Sequence, residues 1–150
     1  MLHRVKKEKD YNKDKWIGVG GKFEETESPE ECVCREVLEE TGIHINPKGL
    51  EYRGIITFVS KNDGEPVFTE FMHLFWYDFS FNDESELKAP EECDEGDLQW
   101  VPISKMNDLP HWKGDEIFLD YLQKNVPFFS LKLIYENGNL IEYKSSIENA

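Results

Sequence analysis

Residues 21–43, GKFEETESPEECVCREVLEETGI, spell a glycine turn, a loop and one short helix crowded with acids. Ser28 is suited to cap the helix N-terminus, Pro29 to its first position, and Glu31 to close a capping box with Ser28. Gly42 stands after Thr41, where a left-handed residue ends a helix. At about 100° per residue the side chains between these signals sort into two faces. Val33, Cys34, Val37, Leu38 and Thr41 share an apolar arc. Arg35, Glu36, Glu39 and Glu40 share the other.

Glu36, Glu39 and Glu40 are spaced i, i+3, i+4 and are therefore surface neighbours. Crowded carboxylates repel, and one of them protonates unless a cation sits among them. Arg35 offsets part of the repulsion through an i, i+4 contact with Glu39. Oxygen-rich clusters of this kind suit Mg²⁺ or Mn²⁺. Taken alone, the spacing reads more readily as a solvated charged face.

The whole string is more specific than its glutamates. It resembles the signature box of the Nudix hydrolases: Gly, five residues, Glu, seven residues, then Arg-Glu-apolar-x-Glu-Glu-x-Gly-apolar. Gly21, Glu27, Arg35, Glu36, Val37, Glu39, Glu40, Gly42 and Ile43 match every fixed position without an insertion. The resemblance implies an α/β (α+β) fold, the Nudix α/β/α sandwich with a mixed, curved sheet. It also implies that Glu36, Glu39 and Glu40 hold Mg²⁺, with Mn²⁺ as a substitute, aided by the Gly20 carbonyl. Lys22 is then expected near the phosphates, and Arg35 and Glu27 orient the ligands from behind.

The chain has 150 residues, 39% of them hydrophobic and 13% aromatic, which suits one ordered domain, residues 1–150. No apolar run is long enough to cross a membrane, and the polar N-terminus is unlike a signal peptide. Three cysteines, Cys32, Cys34 and Cys93, form no CxxC pair and read as reduced thiols of a cytoplasmic protein. The formal charge of −14 repels nucleic-acid polymers, whose binding rests on Lys and Arg. A phosphorylated small molecule is compatible with it when divalent metal screens the charge.

Before the box, residues 1–4 read as the end of a strand. The resemblance implies a fuller one, so this strand is expected to be shortened, and it aligns Arg4 with a phosphate-contacting arginine of MutT-type enzymes. Residues 6–15, KKEKDYNKDK, form a lysine-rich loop, either solvated or steering phosphates. Residues 15–20 read as a short strand.

After the box, residues 50–60 and 68–80 read as an antiparallel pair across Asn62-Asp63-Gly64. His73 lies in the second and is expected to be structural. Residues 83–97 read as an acidic loop before a strand at 98–101. By resemblance Glu95 is the loop glutamate brought to the metal, with Glu92 as the alternative. Residues 103–108 read as a connecting turn. Residues 112–124 read as a loop and helix burying Ile117, Phe118, Tyr121 and Leu122. This segment resembles the base-binding region of enzymes that remove oxidised purine nucleotides. There Trp112 stacks on the base and Asp115 reads its edge; a core aromatic and a helix cap are the plain readings of the same residues. Gly114 replaces a second aspartate of some relatives, and Ile17 a base-reading asparagine. Residues 128–143 read as a hairpin about Asn137-Gly138, and 145–150 as a loose tail.

The expected activity is metal-dependent hydrolysis of a nucleoside triphosphate to monophosphate and pyrophosphate, with 8-oxo-dGTP or a related purine deoxynucleotide as substrate. Glu36 is the first candidate for general base and Glu95 the second. Two alternatives stand beside it: a Nudix pyrophosphatase acting on ADP-ribose or a nucleotide sugar, and a catalytically silent nucleotide-binding domain. The ADP-ribose branch commonly carries a proline where Val59 stands, and silent members usually lack box acids that are all present here. The partner is thus a small nucleotide, and monomer and homodimer are both open.

Overall fold

A computed structural model describes residues 1–88 and 90–147. The chain divides into two compact units and passes between them at residues 50–51, 76–77 and 111–112.

The first unit comprises Met1–Leu50 and Tyr77–His111. Its sheet holds β1 (Leu2–Arg4), β2 (Trp16–Ile17), β5 (Glu92–Cys93) and β6 (Gly96–Leu98) in the order β2-β1-β6-β5. Every pairing is antiparallel. β1 is central, so Leu2 is fully buried and Arg4 projects from the middle of the sheet. The acidic stretch expected as a loop therefore contains the β5–β6 hairpin, and the strand expected at 98–101 lies at Gly96–Leu98. Strands of two and three residues are too short to show a two-residue period. Residues 103–108 form a 3₁₀ turn.

The first helix, α1 (Pro29–Thr41), has the expected ends. Ser28 Oγ accepts from the Glu31 N–H, Glu31 reaches back to the Ser28 N–H, and Gly42 is left-handed at φ 70° with its N–H on the Leu38 carbonyl. Its faces differ from the expected pair. Leu38 is 36% exposed, whereas Glu40 is buried. Cys32, Glu36 and Glu40 recur every fourth residue and form a stripe against Gly20 and Gly21, which shields acids that the two-face reading left in water.

The second unit comprises Glu51–Trp76 and the chain from Trp112 onward. The strands β3 (Leu50–Asn62), β4 (Glu65–Tyr77), β7 (Phe129–Glu136) and β8 (Asn139–Ser145) form a mixed sheet ordered β4-β3-β7-β8. β3 and β7 run parallel, Gly54 opposite Phe129 through Lys61 opposite Glu136, and β7 and β8 are antiparallel. Asn137 and Gly138 both take positive φ, as a two-residue hairpin turn requires. Phe129, Leu131, Leu133 and Tyr135 alternate inward along β7 and are fully buried. Phe118 and Tyr121 of α2 (Asp115–Gln123) pack in the same cluster, with Ile117 partly buried against it. His73 meets the Tyr52 hydroxyl through Nδ1, a structural contact.

The loose tail expected at 145–150 falls partly outside the described residues, at 148–150. Ser145 ends β8, and the Ser146 N–H donates to the Ser130 carbonyl at 2.9 Å.

Candidate active site

Glu27, Arg35, Glu36, Glu39, Glu40 and Glu95 belong to the first unit, on α1, the loop before it and the β5–β6 turn. Arg35 organises the outer part. Its Nε and Nη2 grip the two Glu27 oxygens at 2.6 and 3.0 Å, a planar two-point fork. Nη1 donates to Glu36 at 2.8 Å and to Glu39 at 3.1 Å, and Nη2 also donates to the Lys22 carbonyl at 3.0 Å. The Arg35 bonds, joined by the Glu24 N–H, hold the Glu27 carboxyl down at about 2. Glu36 lies directly on Gly21: a Cβ there would stand 2.2 Å from Glu36 Oε1. A larger residue at 21 would therefore push the Glu36 carboxyl out of its present place.

Glu40 sits deeper. It is 8% exposed, and its Oε2 is buried with no hydrogen-bond partner among the described residues. Burial, then the charges of Glu95 and Glu36, push its carboxyl up to about 7, against a smaller opposing effect of the Gly20 N–H. Glu95 lies within hydrogen-bonding reach of Glu40. Its oxygens take an ion pair from Arg4 Nη1 and another from Lys7 Nζ at 2.7 Å. Partial burial works to raise the Glu95 carboxyl, but Lys7 and Arg4 outweigh it and the net shift is downward.

An orphaned carboxylate oxygen among like charges is the setting a hard divalent cation relieves. A cleft of about 510 Å³ opens beside it, lined by Glu36, Glu39, Glu40, Glu92 and Glu95 among others. The acids around it offer oxygen donors, which fit Mg²⁺ or Mn²⁺. Among the described residues no three acidic, histidine or cysteine side chains already stand as a closed metal shell. Arg35 draws Glu36 and Glu39 outward, and Arg4 and Lys7 hold Glu95. Among the described residues Glu40 forms no ion pair of its own, and Arg4, spent on Asp10 and Glu95, acts on it only at a distance.

The other expected residues are spread differently. Arg4 is engaged with Asp10 and Glu95. Lys6 and Lys7 of the lysine-rich loop pair with Glu92 and Glu95. Lys22 is exposed and gives Arg35 its carbonyl. Trp112 and Asp115 belong to the second unit. Trp112 is only 9% exposed and meets Phe58 and Tyr135 edge-on at 5.7 and 5.2 Å between ring centres. Asp115 is the first residue of α2, and Gly114 rather than Asp115 occupies the cap position. A Cβ on Gly114 would lie 2.6 Å from Leu133 and 2.7 Å from the Tyr135 hydroxyl, so the second aspartate of some relatives has no room here.

Sequence reasoning missed Asp10, whose side chain is 6% exposed and holds Arg4 Nε at 2.6 Å. The signal was the turn Asp10-Tyr11-Asn12, in which an Asp side chain bonds the N–H two residues on. It is concealed inside a run of lysines.

The family model for the NUDIX domain matches residues 1–122. The chain belongs to the Nudix hydrolase family. It is 36% identical over 110 residues to an uncharacterised Nudix hydrolase of Bacillus subtilis, YvcI, covering 73% of this chain and 65% of that protein. The match thus spans just under two thirds of that relative. It is 31% identical to an oxidized purine nucleoside triphosphate hydrolase of Danio rerio, covering 92% of this chain and 81% of the relative. The fold matches a crystal structure of the mutator MutT protein from Bacillus halodurans. That match has a TM-score of 0.77 at 27% identity, over 89% of this chain and 83% of the other. The expected family and its mixed α and β fold are borne out, with the strands divided between two sheets.

Proposed function

We propose that the protein is a divalent-cation-dependent nucleoside triphosphate pyrophosphohydrolase acting on 8-oxo-dGTP or a related oxidised purine nucleotide, and so clears such nucleotides from the cytoplasmic pool. The observation that carries the hydrolytic reading is Glu40: a buried carboxyl with an unpartnered oxygen, raised to about 7, beside Glu36 and Glu95. The purine preference is supported by two relatives, from Danio rerio and Mus musculus, named oxidized purine nucleoside triphosphate hydrolase.

Glu36, Glu39 and Glu40, with the Gly20 carbonyl and Glu95, would hold Mg²⁺ or Mn²⁺. A bound cation there supplies charge screening to the phosphates and lowers the pKa of an attacking water. Glu36 takes the proton in this reading, with Glu95 second. Arg35 orients Glu36 through its 2.8 Å contact, and Glu27 keeps Arg35 in place. Arg4 and Lys22 supply positive charge to the phosphate tail. Trp112 and Asp115 are assigned to the base.

Trp112 has most of its surface covered, which leaves little of the indole for a base and keeps a second reading in play: a Nudix pyrophosphatase acting on ADP-ribose or a nucleotide sugar. One panel separates them. Pyrophosphate or phosphate-ester release is followed with Mg²⁺ for 8-oxo-dGTP, dGTP, dATP, ADP-ribose and a nucleotide sugar. The expected outcome is marked selectivity for 8-oxo-dGTP. Turnover of ADP-ribose or the sugar alone overturns the oxidised-triphosphate assignment and keeps the site chemistry. Nucleotide binding without turnover overturns both.

A further inference from the structure

The segment between β1 and β2 is lysine-rich, yet the side chain it buries is an acid. Asp10 Oδ2 accepts from Arg4 Nε at 2.6 Å, and Oδ1 accepts from the Asn12 N–H at 2.9 Å. Burial works to raise the Asp10 carboxyl, but these donors outweigh it and the net shift is downward, so the group is held ionised. The backbone on either side is fixed as well. The Arg4 N–H donates to the Lys15 carbonyl at 3.0 Å, and the Arg4 carbonyl accepts from the Asp14 N–H at 2.8 Å.

A guanidinium is planar and rigid, so fixing one edge aims the other. With Nε committed to Asp10, Arg4 presents Nη1 to Glu95 Oε2, while Lys7 of the same loop takes Glu95 Oε1. Glu95 in turn lies against Glu40. A chain of contacts thus runs from Asp10 through Arg4 and Glu95 to the orphaned acid on α1. A loop needing only to be fastened to the sheet has the two Arg4 backbone bonds; a buried carboxylate on the guanidinium Nε adds direction to the side chain.

We propose that Asp10 is a positioning residue: by fixing Arg4 it holds Glu95 beside Glu40 and so shapes the cation site from the β1–β2 loop. This rests on the cation-site reading above. The test is a double-mutant cycle read on Mn²⁺ binding to the nucleotide-free protein, by the electron paramagnetic resonance signal of free Mn²⁺. Asp10→Asn should weaken Mn²⁺ binding about 10-fold in the wild-type background, the lower end of what outer partners of metal ligands contribute. In a Glu95→Gln background the same change should cost nothing further. Arg4→Lys, whose single ammonium cannot hold two carboxylates in one plane, should repeat the pattern and carries the test if Asp10→Asn does not fold. Equal losses in both backgrounds would show that Asp10 only fastens the loop and would overturn the proposal, as would no loss at all. Wild-type protein that binds no Mn²⁺ overturns the cation-site reading together with it; binding indifferent to Asp10 and Arg4 overturns the positioning role alone.

Discussion

Glu40 concentrates the chemistry of the site in one side chain. Its carboxyl rises from the usual 4.5 to about 7 on folding, chiefly through burial. Between those values the folded protein keeps a proton that the unfolded chain has released. Stability from this group is therefore intact below about pH 4.5 and falls as pH rises through 7. Glu40→Gln removes the penalty. In the absence of divalent cation the variant should gain about 1–3 kcal/mol of unfolding free energy at pH 8 and gain nothing at pH 4, as urea titrations would show. The same variant should lose at least ~100-fold in turnover and lose sensitivity to Mg²⁺. A variant that is more stable and fully active would remove Glu40 from the site. The box spacing announces this acid. Its environment was not legible, because Gly20 and Glu95, which act on its carboxyl, lie far from it along the chain.

At the scale of elements, α1 was the most legible part of the molecule. Ser28, Pro29, Glu31 and Gly42 each act through residues within one turn, and all of them take the expected roles. Gly42 is left-handed at φ 70°, a conformation that costs an ordinary residue about 1–2 kcal/mol. Gly42→Ala should therefore lower stability by about 1 kcal/mol in urea titration, fraying the turn that carries Glu39 and Glu40. The β3–β4 and β7–β8 hairpins were legible for the same local reason, through Asp63-Gly64 and Asn137-Gly138. The β5–β6 hairpin was not. Its strands have two and three residues, and β6 is held by pairing with β1, a partner about 90 residues away in sequence, with β5 at the edge beyond it.

At the scale of the whole molecule, the chain carries a charge of −14, yet its site gathers Arg4, Lys7 and Arg35 around the acids. Three cations are thus drawn in among the acids, though the cleft they border remains lined mainly by carboxylates. The second unit is organised around an aromatic core in which Trp112, Phe58 and Tyr135 meet. Trp112→Ala should cost about 3–5 kcal/mol of stability, read by urea denaturation, because it empties a buried aromatic position. Trp112→Phe keeps an aromatic ring there and should fold. Its KM for the purine nucleotide then reports the base contact separately: a rise of about 10-fold supports stacking, and an unchanged KM leaves Trp112 to the core.

The sequence by itself determined the family, the ends and length of α1, the acids on it and the two long hairpins, because each depends on residues a turn or two apart. Tertiary structure alone decided which acid is buried, where Arg4 points, and that Asp10 matters. Those depend on strands brought together from opposite ends of the first unit, and no local spacing records which charge will meet which. It also decided that Gly114 has no room for an aspartate, since Leu133 and Tyr135, about 20 residues further on, fill the space.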